Sequence, residues 1–91
     1  MSLIDKDNAL NWVIKALDKN FLLEIKSYKR NRTIKIFKKG LYFQIVENGF
    51  WKENFQVKKE ELRKILKKLI RREFPRSHKL WIFKAKGEFK L

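Results

Sequence analysis

The aromatic residues Tyr28, Phe37, Tyr42 and Phe50 stand among Lys26, Arg30, Arg32, Lys35 and Lys52. Ring faces stack on unpaired bases whatever their identity, at about 1 to 3 kcal/mol per base, while lysine and arginine hold the phosphates between them. Rings interleaved with cations therefore suit a polyanion whose bases are exposed. A second group of cations, Arg63, Lys64, Lys67, Lys68, Arg71 and Arg72, carries no ring. At helical spacing it forms rows, Arg63, Lys67 and Arg71 beside Lys64, Lys68 and Arg72, in which like charges four residues apart repel. Most lysine-rich helix faces are simply solvated. Here the density of unrelieved charge favours contact with a phosphate backbone or an acidic protein.

Reaction chemistry has little to build on. Glu24-Ile25-Lys26 imitates the Glu-x-Lys of metal-dependent nucleases, in which a carboxylate holds magnesium and the lysine positions a water. A metal site needs a further acid, and Asp18 falls on a helix while Glu47 falls near a turn. The pair reads as a surface ion pair and the chain as a non-enzyme. His78 is the sole histidine and there is no cysteine, so a loop histidine touching phosphate or solvent is a better account than metal ligation or general base catalysis. Gly40, Gly49 and Gly87 are isolated turn residues, not a phosphate-binding loop. No metal and no cofactor is expected.

The chain has 91 residues, 24 Lys and Arg against 10 Asp and Glu, and a net charge of +14. That length fits one domain, 1–91, with a core that needs no disulfide. Such a surplus steers a polyanion toward the surface, and the polyanion releases counterions on docking. The charge is uneven. Residues 1–20 carry three acids and three bases, residues 21–57 eight bases against three acids, and residues 58–91 thirteen bases against four acids, which places the expected contact surface after the first segment. Absent cysteine agrees with a reducing compartment. Met1-Ser2-Leu3-Ile4-Asp5 lacks the basic and apolar regions of a signal peptide and no apolar stretch approaches membrane length, so the expectation is a cytoplasmic protein that does not enter a membrane. The Lys, Glu and Ile bias suits a hyperthermophile, and an AT-rich genome gives the same excess of lysine and isoleucine.

These side chains need elements to position them. Ser2 and Asp5 resemble a capping box, and Asp5 or Asp7 would cap a helix with apolar positions Leu10, Val13, Ile14 and Leu17, widened by Ala9, Trp12 and Ala16 and ended by Asn20. From Phe21 the period becomes two. Phe21, Leu23 and Ile25 predict one strand, Ile34 and Ile36 a second after the basic turn Lys29-Arg30-Asn31-Arg32, and Leu41, Phe43 and Ile45 a third after Lys39-Gly40. Asn48-Gly49 is the strongest hairpin signal. The fourth strand, Phe50 to Val57, places Trp51, Phe55 and Val57 on one face and Phe50, Lys52, Asn54 and Gln56 on the other. Lys58 to Phe74 predicts a long helix with Leu62, Ile65, Leu66, Leu69 and Ile70 on its apolar side, stopped by Pro75. Leu80 to Lys84 predicts a short fifth strand that the tail from Ala85 to Leu91 frays from or extends.

The expected architecture is α+β: a curved antiparallel sheet of four to five strands with an N-terminal helix and a long basic helix on one face, in the order α-β-β-β-β-α-β. If Leu23, Ile25, Ile34, Ile36, Phe43 and Ile45 face the helices, the opposite face presents Lys26, Tyr28, Lys35, Phe37, Tyr42, Gln44, Phe50, Lys52 and Asn54, a stacking platform. A slip of one residue would exchange the faces.

The segment Phe21 to Ile70, above all Tyr42-Phe43-Gln44-Ile45-Val46-Glu47-Asn48-Gly49-Phe50-Trp51 and Phe55-Gln56-Val57-Lys58-Lys59-Glu60-Glu61-Leu62, resembles in layout two groups of single-strand binders. One is the ThermoDBP-related single-stranded DNA-binding proteins of archaea. The other, over strands one to four and the helix, is the positive-cofactor type of transcriptional coactivator with the Whirly proteins. The extra N-terminal helix is closer to the archaeal group. The resemblance implies a sheet, or a cleft of sheet and helix, that holds unpaired bases, often in a homodimer. Together the residues and the resemblance lead to the expectation of single-stranded DNA binding with little sequence preference. RNA binding, including a ribosome-associated role, and partnership with an acidic protein are the alternatives.

Overall fold

Alternation in the strands and a 3.6-residue stripe in the helices bring one set of apolar side chains to a common interior. The computed structural model describes residues 2–85. In chain order they form β1 (Ser2–Asp5), α1 (Lys6–Ala16), β2 (Leu22–Lys26), β3 (Thr33–Lys39), β4 (Tyr42–Asn48), β5 (Lys52–Lys58), α2 (Lys59–Glu73) and β6 (Lys79–Ala85). The fold is α+β. All neighbouring strands are antiparallel, in the spatial order β1-β6-β2-β3-β4-β5. The last strand thus sits second in the sheet, between β1 and β2.

The interior lies between one face of the sheet and the two helices. Leu23 and Ile25 of β2, Ile34 and Ile36 of β3, Phe43 and Ile45 of β4, Val57 of β5 and Leu80 and Ile82 of β6 pack against Ala9, Val13 and Leu17 from α1 and its end, and Leu62, Leu66, Leu69 and Ile70 from α2. Each buried aliphatic side chain is worth about 1.5 to 3 kcal/mol, which fixes the register, since a one-residue slip would turn a whole strand inside out. No helix among the described residues is long and apolar enough to cross a membrane.

Two features depart from the expected layout. Residues 2–5 are a strand, not a cap: β1 pairs with β6 from Ser2↔Ile82 to Asp5↔Lys79. Asp5 occupies the N-cap position of α1 without a capping hydrogen bond from its side chain. The Lys6 amide at the helix start instead donates to the His78 carbonyl at 2.9 Å. Among the described residues the sheet therefore has six strands, and the elements follow the order β-α-β-β-β-β-α-β. The α1 stripe is also rotated: Ala9 and Val13 are buried, whereas Leu10 and Ile14 are half-buried. Beyond Ala85, the expected fraying or extension of the last strand concerns residues 86–91, outside those described.

The two central hairpins use their glycines for different reasons. Gly40, in the two-residue loop between Lys39 and Tyr42, has φ 58°, a positive angle at the first loop position as a type II′ turn needs. The Asn48-Gly49 hairpin signal is correct in place and different in mechanism. The loop has three residues, Gly49, Phe50 and Trp51, between the paired Asn48 and Lys52, and only Gly40 among the described glycines has positive φ. Gly49 is there for space: a Cβ would collide with the Glu73 carboxylate and lie 3.1 Å from Arg32 Cβ.

Candidate nucleic-acid interface

Residues paired across antiparallel strands point to the same side of a sheet, so the register defines what the helix-free face presents. One row runs Leu3, Trp81, Lys26, Thr33, Asn48, Lys52. The next runs Phe83, Glu24, Lys35, Val46, Asn54. Beyond it come Leu22, Phe37, Gln44 and Gln56, and then Lys39, Tyr42 and Lys58. Lys26, Lys35, Phe37, Tyr42 and Lys52 thus share the open face, together with Gln44 and Asn54, which hydrogen-bond each other. Trp81, Phe83, Lys39 and Lys58 join them. The rings Trp81, Phe83, Phe37 and Tyr42 step diagonally from β6 to β4, a path of roughly 25 Å at ordinary strand and residue spacings.

Glu24 lies within this face and is held by two lysines, Lys26 Nζ at 3.3 Å and Lys35 Nζ at 3.5 Å. The Glu24-x-Lys26 pair is therefore an ion pair on the sheet. Asp18 follows α1 at the far end of the sheet, and Glu47 is buried on the helix side of β4. No group of three or more His, Asp or Glu side chains among the described residues is placed to hold a metal.

Tyr28, Arg30, Arg32 and Phe50 do not lie on the face. They occupy the loops at one end of the sheet, because β2 stops at Lys26 and β5 begins only at Lys52. The Tyr28 and Trp81 rings stack with centroids 6.3 Å apart, Trp81 Nε1 donates to the Tyr28 carbonyl at 3.1 Å, and the Arg30 guanidinium lies 4.7 Å from the Trp81 centroid. Arg30 has φ 61°, a left-handed conformation that closes the loop. Arg32 covers the Phe50 ring at 3.4 Å, so one face of Phe50 is already occupied by a cation. Trp51, expected on the interior side with Phe55 and Val57, is exposed in the same loop with Arg72 5.2 Å from its centroid. The loop has left the strand, so alternation no longer directs these side chains.

A buried polar cluster builds this end. Glu73, the last residue of α2, is fully buried, and its carboxylate accepts the Phe50 amide at 2.8 Å and the Trp51 amide at 3.1 Å. Arg32 Nη1 donates to the Glu73 carbonyl at 3.0 Å. Arg72 grips the buried Glu47 with both Nε and Nη2, the Nε bond measuring 3.0 Å. Burial raises the Glu47 carboxyl above its ordinary value of 4.5, with Glu73 adding to the rise and Arg72 opposing it. For Glu73, burial would raise the carboxyl, but hydrogen bonds from Glu47, Phe50 and Trp51 and the charge of Arg32 bring it below that value. Arg72 was expected to extend an acid-free row on α2; its charge is instead consumed inside by an acid 25 residues earlier.

Arg63, Lys64, Lys67, Lys68 and Arg71 are exposed on α2, on the side of that helix away from the sheet. Lys64, Lys67, Lys68, Arg71 and the outer side of Arg72 border a shallow groove there, and Arg63 Nη1 donates to Asn11 Oδ1 of α1 at 2.7 Å. The candidate residues accordingly divide among the open sheet, the loop end and the outer face of α2. No protein family, curated protein or solved structure matches the chain. The assignment rests on geometry alone. Of the residues it adds, Trp81 and Phe83 were legible as the alternates of Leu80 and Ile82, whereas nothing local marks Glu47 and Glu73 as buried.

Proposed function

We propose that the protein binds single-stranded nucleic acid, DNA foremost and with little sequence preference, along the open face of its sheet. The observation that carries this reading is the diagonal of Trp81, Phe83, Phe37 and Tyr42 set among Lys26, Lys35, Lys39, Lys52 and Lys58 on a face that no described element covers. Rings supply contacts to bases of any identity and the lysines supply phosphate contacts. Base edges are not read by an array of this kind, which is why little sequence preference is expected.

The outer face of α2 supports a second reading. Among the described residues no aromatic side chain lines its basic groove, so it suits an acidic protein surface, for which charge is enough. Fluorescence anisotropy with matched single-stranded DNA, single-stranded RNA and duplex DNA at two salt concentrations tests the primary reading. Tighter binding of the single strands than of the duplex is expected, because stacking needs exposed base faces. Equal or tighter duplex binding would transfer the polyanion to α2, and a clear RNA preference would change the nucleic acid but keep the face.

A further inference from the structure

The loop end of the sheet contains a cavity of about 480 Å³ between the β2–β3 loop and the connection from α2 to β6, within the size range of about 300 to 1,000 Å³ usual for small-molecule sites. Lys29 and Arg32 line it from one side and Arg76, His78 and Lys79 from the other; among the described residues no acid lines it. Arg32 already has the buried Glu73 as its counter-charge, but Lys29, Arg76 and Lys79 repel each other across the recess with no carboxylate among its described lining, and an anion there relieves that repulsion. The open sheet differs, since Glu24 there already partners two lysines.

Both walls are held in place by hydrogen bonds. Ser27 organises the first: its amide donates to the Arg32 carbonyl at 3.1 Å, its carbonyl accepts the Arg30 amide at 2.8 Å, and its hydroxyl bonds Asn31 Oδ1 at 2.8 Å. The second is pinned where the His78 carbonyl accepts the Lys6 amide. Trp81 Nε1 on the Tyr28 carbonyl ties one wall to the other. A recess fixed in this way meets an anion without first having to order its loops. At its rim stands Tyr28, stacked on Trp81, where the ring diagonal of the open face begins.

We propose that this cavity receives the terminal phosphate monoester of a nucleic-acid strand, with the terminal base against the Tyr28 and Trp81 rings. The inference rests on the single-strand reading above and gives the bound strand a defined end. An internal phosphodiester carries a single negative charge, whereas a phosphate monoester carries about −1.5 to −2 near pH 7 and three strong acceptor oxygens. Convergent arginine and lysine donors match the monoester better than the diester. The chemistry is shared by 5′- and 3′-phosphates, and the experiment separates them.

Anisotropy titrations would compare one single-stranded oligonucleotide with a 5′-phosphate, a 3′-phosphate or hydroxyl ends, and a hydroxyl-ended strand one nucleotide longer as a control for total charge. One phosphorylated form should bind about tenfold tighter than the hydroxyl-ended strand and than the longer control, the gain expected of one or two charge-assisted hydrogen bonds. In the Arg76→Gln/Lys79→Gln double variant, whose folding is checked by cooperative thermal unfolding, the phosphorylated and hydroxyl-ended strands should bind alike. In parallel, calorimetry with thymidine 5′-monophosphate, thymidine 3′-monophosphate and thymidine probes the cavity without the sheet. Binding of a monophosphate and not of thymidine supports the cavity even if no oligonucleotide binds, in which case the single-strand reading alone falls. Single strands that bind equally whatever their ends, with neither monophosphate binding, overturn the cavity proposal and leave the sheet reading intact. A preference that survives unchanged in the double variant also overturns it.

Discussion

The open sheet and the outer face of α2 are both basic, yet their cations are arranged differently. On the sheet side, cations meet rings: Lys26 lies 5.8 Å from the Phe83 centroid, and Arg30 and Arg32 cover Trp81 and Phe50 at the loop end. On α2, Lys64, Lys67, Lys68 and Arg71 share a groove with Arg72, which turns to Glu47 and Trp51, and no ring or acid lines it among the described residues. The difference separates two kinds of affinity. Charge without rings attracts any polyanion and weakens steeply with salt, whereas rings among cations add a contribution that salt hardly affects.

The largest expected effect comes from severing the joint between the two regions. Glu73 ends α2 and fastens the Phe50-Trp51 loop. Glu73→Ala would leave two amides without acceptors and Arg32 without its nearby buried anion, while Arg72 keeps Glu47, a loss of about 3 to 5 kcal/mol. A fall in the thermal midpoint of more than ten degrees is expected, at about 4 to 8 °C per kcal/mol for a domain this small. A midpoint within a few degrees of the parent would show that the loop end is not anchored through α2.

The next effect sets the two surfaces directly against each other. Tyr42→Ala, on an exposed ring, should weaken single-strand binding by about 1 to 3 kcal/mol with nearly the same dependence on salt. Replacing Lys64, Lys67 and Lys68 with Gln should leave affinity for the strand close to the parent value and stabilise the fold by about 0.2 to 0.5 kcal/mol per relieved like-charge pair. If the strand instead lies on α2, the lysine variant loses affinity and its log K against log salt flattens by up to about 0.7 per lost contact. Titrations at several salt concentrations distinguish the outcomes.

The smallest effect is in pH dependence. A carboxyl raised in the folded state binds its proton more tightly there than in the unfolded chain, so Glu47 costs stability as pH rises from 4.5 toward its raised value. Glu73 is lowered, and its contribution is present above 4.5 and lost as pH falls through its folded value. Because the two interact, they titrate as a pair. Comparing thermal midpoints of the parent and Glu47→Gln across this range should show the parent losing ground relative to the variant above pH 4.5. A constant difference would mean that the folded state binds the Glu47 proton as the unfolded chain does, the cost of burial being offset by Arg72.

The parts of the fold that were legible in sequence are those governed by local periodicity. The aliphatic alternates from Leu23 to Ile45 set the open face, and the Leu62 to Ile70 stripe set α2, because burial of these residues follows from where neighbouring side chains point. Ser2–Asp5 escaped this reasoning: four residues are too few to establish a period, and Ser2 and Asp5 look like helix-start chemistry. Their pairing partner, β6, lies at the other end of the chain. Tyr28, Phe50 and Trp51 were placed by extending strand alternation into loops, where it no longer holds. The Glu47, Arg72 and Glu73 cluster was invisible for another reason. A charged residue on a helix is ordinarily solvated, and its burial depends on a partner brought close only by the folded sheet.

The placement of β6 between β1 and β2 also bears on how the chain assembles. β2 to β5 join sequential neighbours through short loops and can form early, whereas Ser2 meets Ile82 only after nearly the whole chain has been threaded. Contacts of such long sequence separation carry the largest loop-closure cost and slow folding. Until β1 arrives, one edge of β6 exposes unpaired backbone beside Trp81 and Phe83, a surface on which a second chain could add a strand. The short first strand thus covers the side of β6 turned away from β2 and leaves only a four-residue strand at that edge of the sheet.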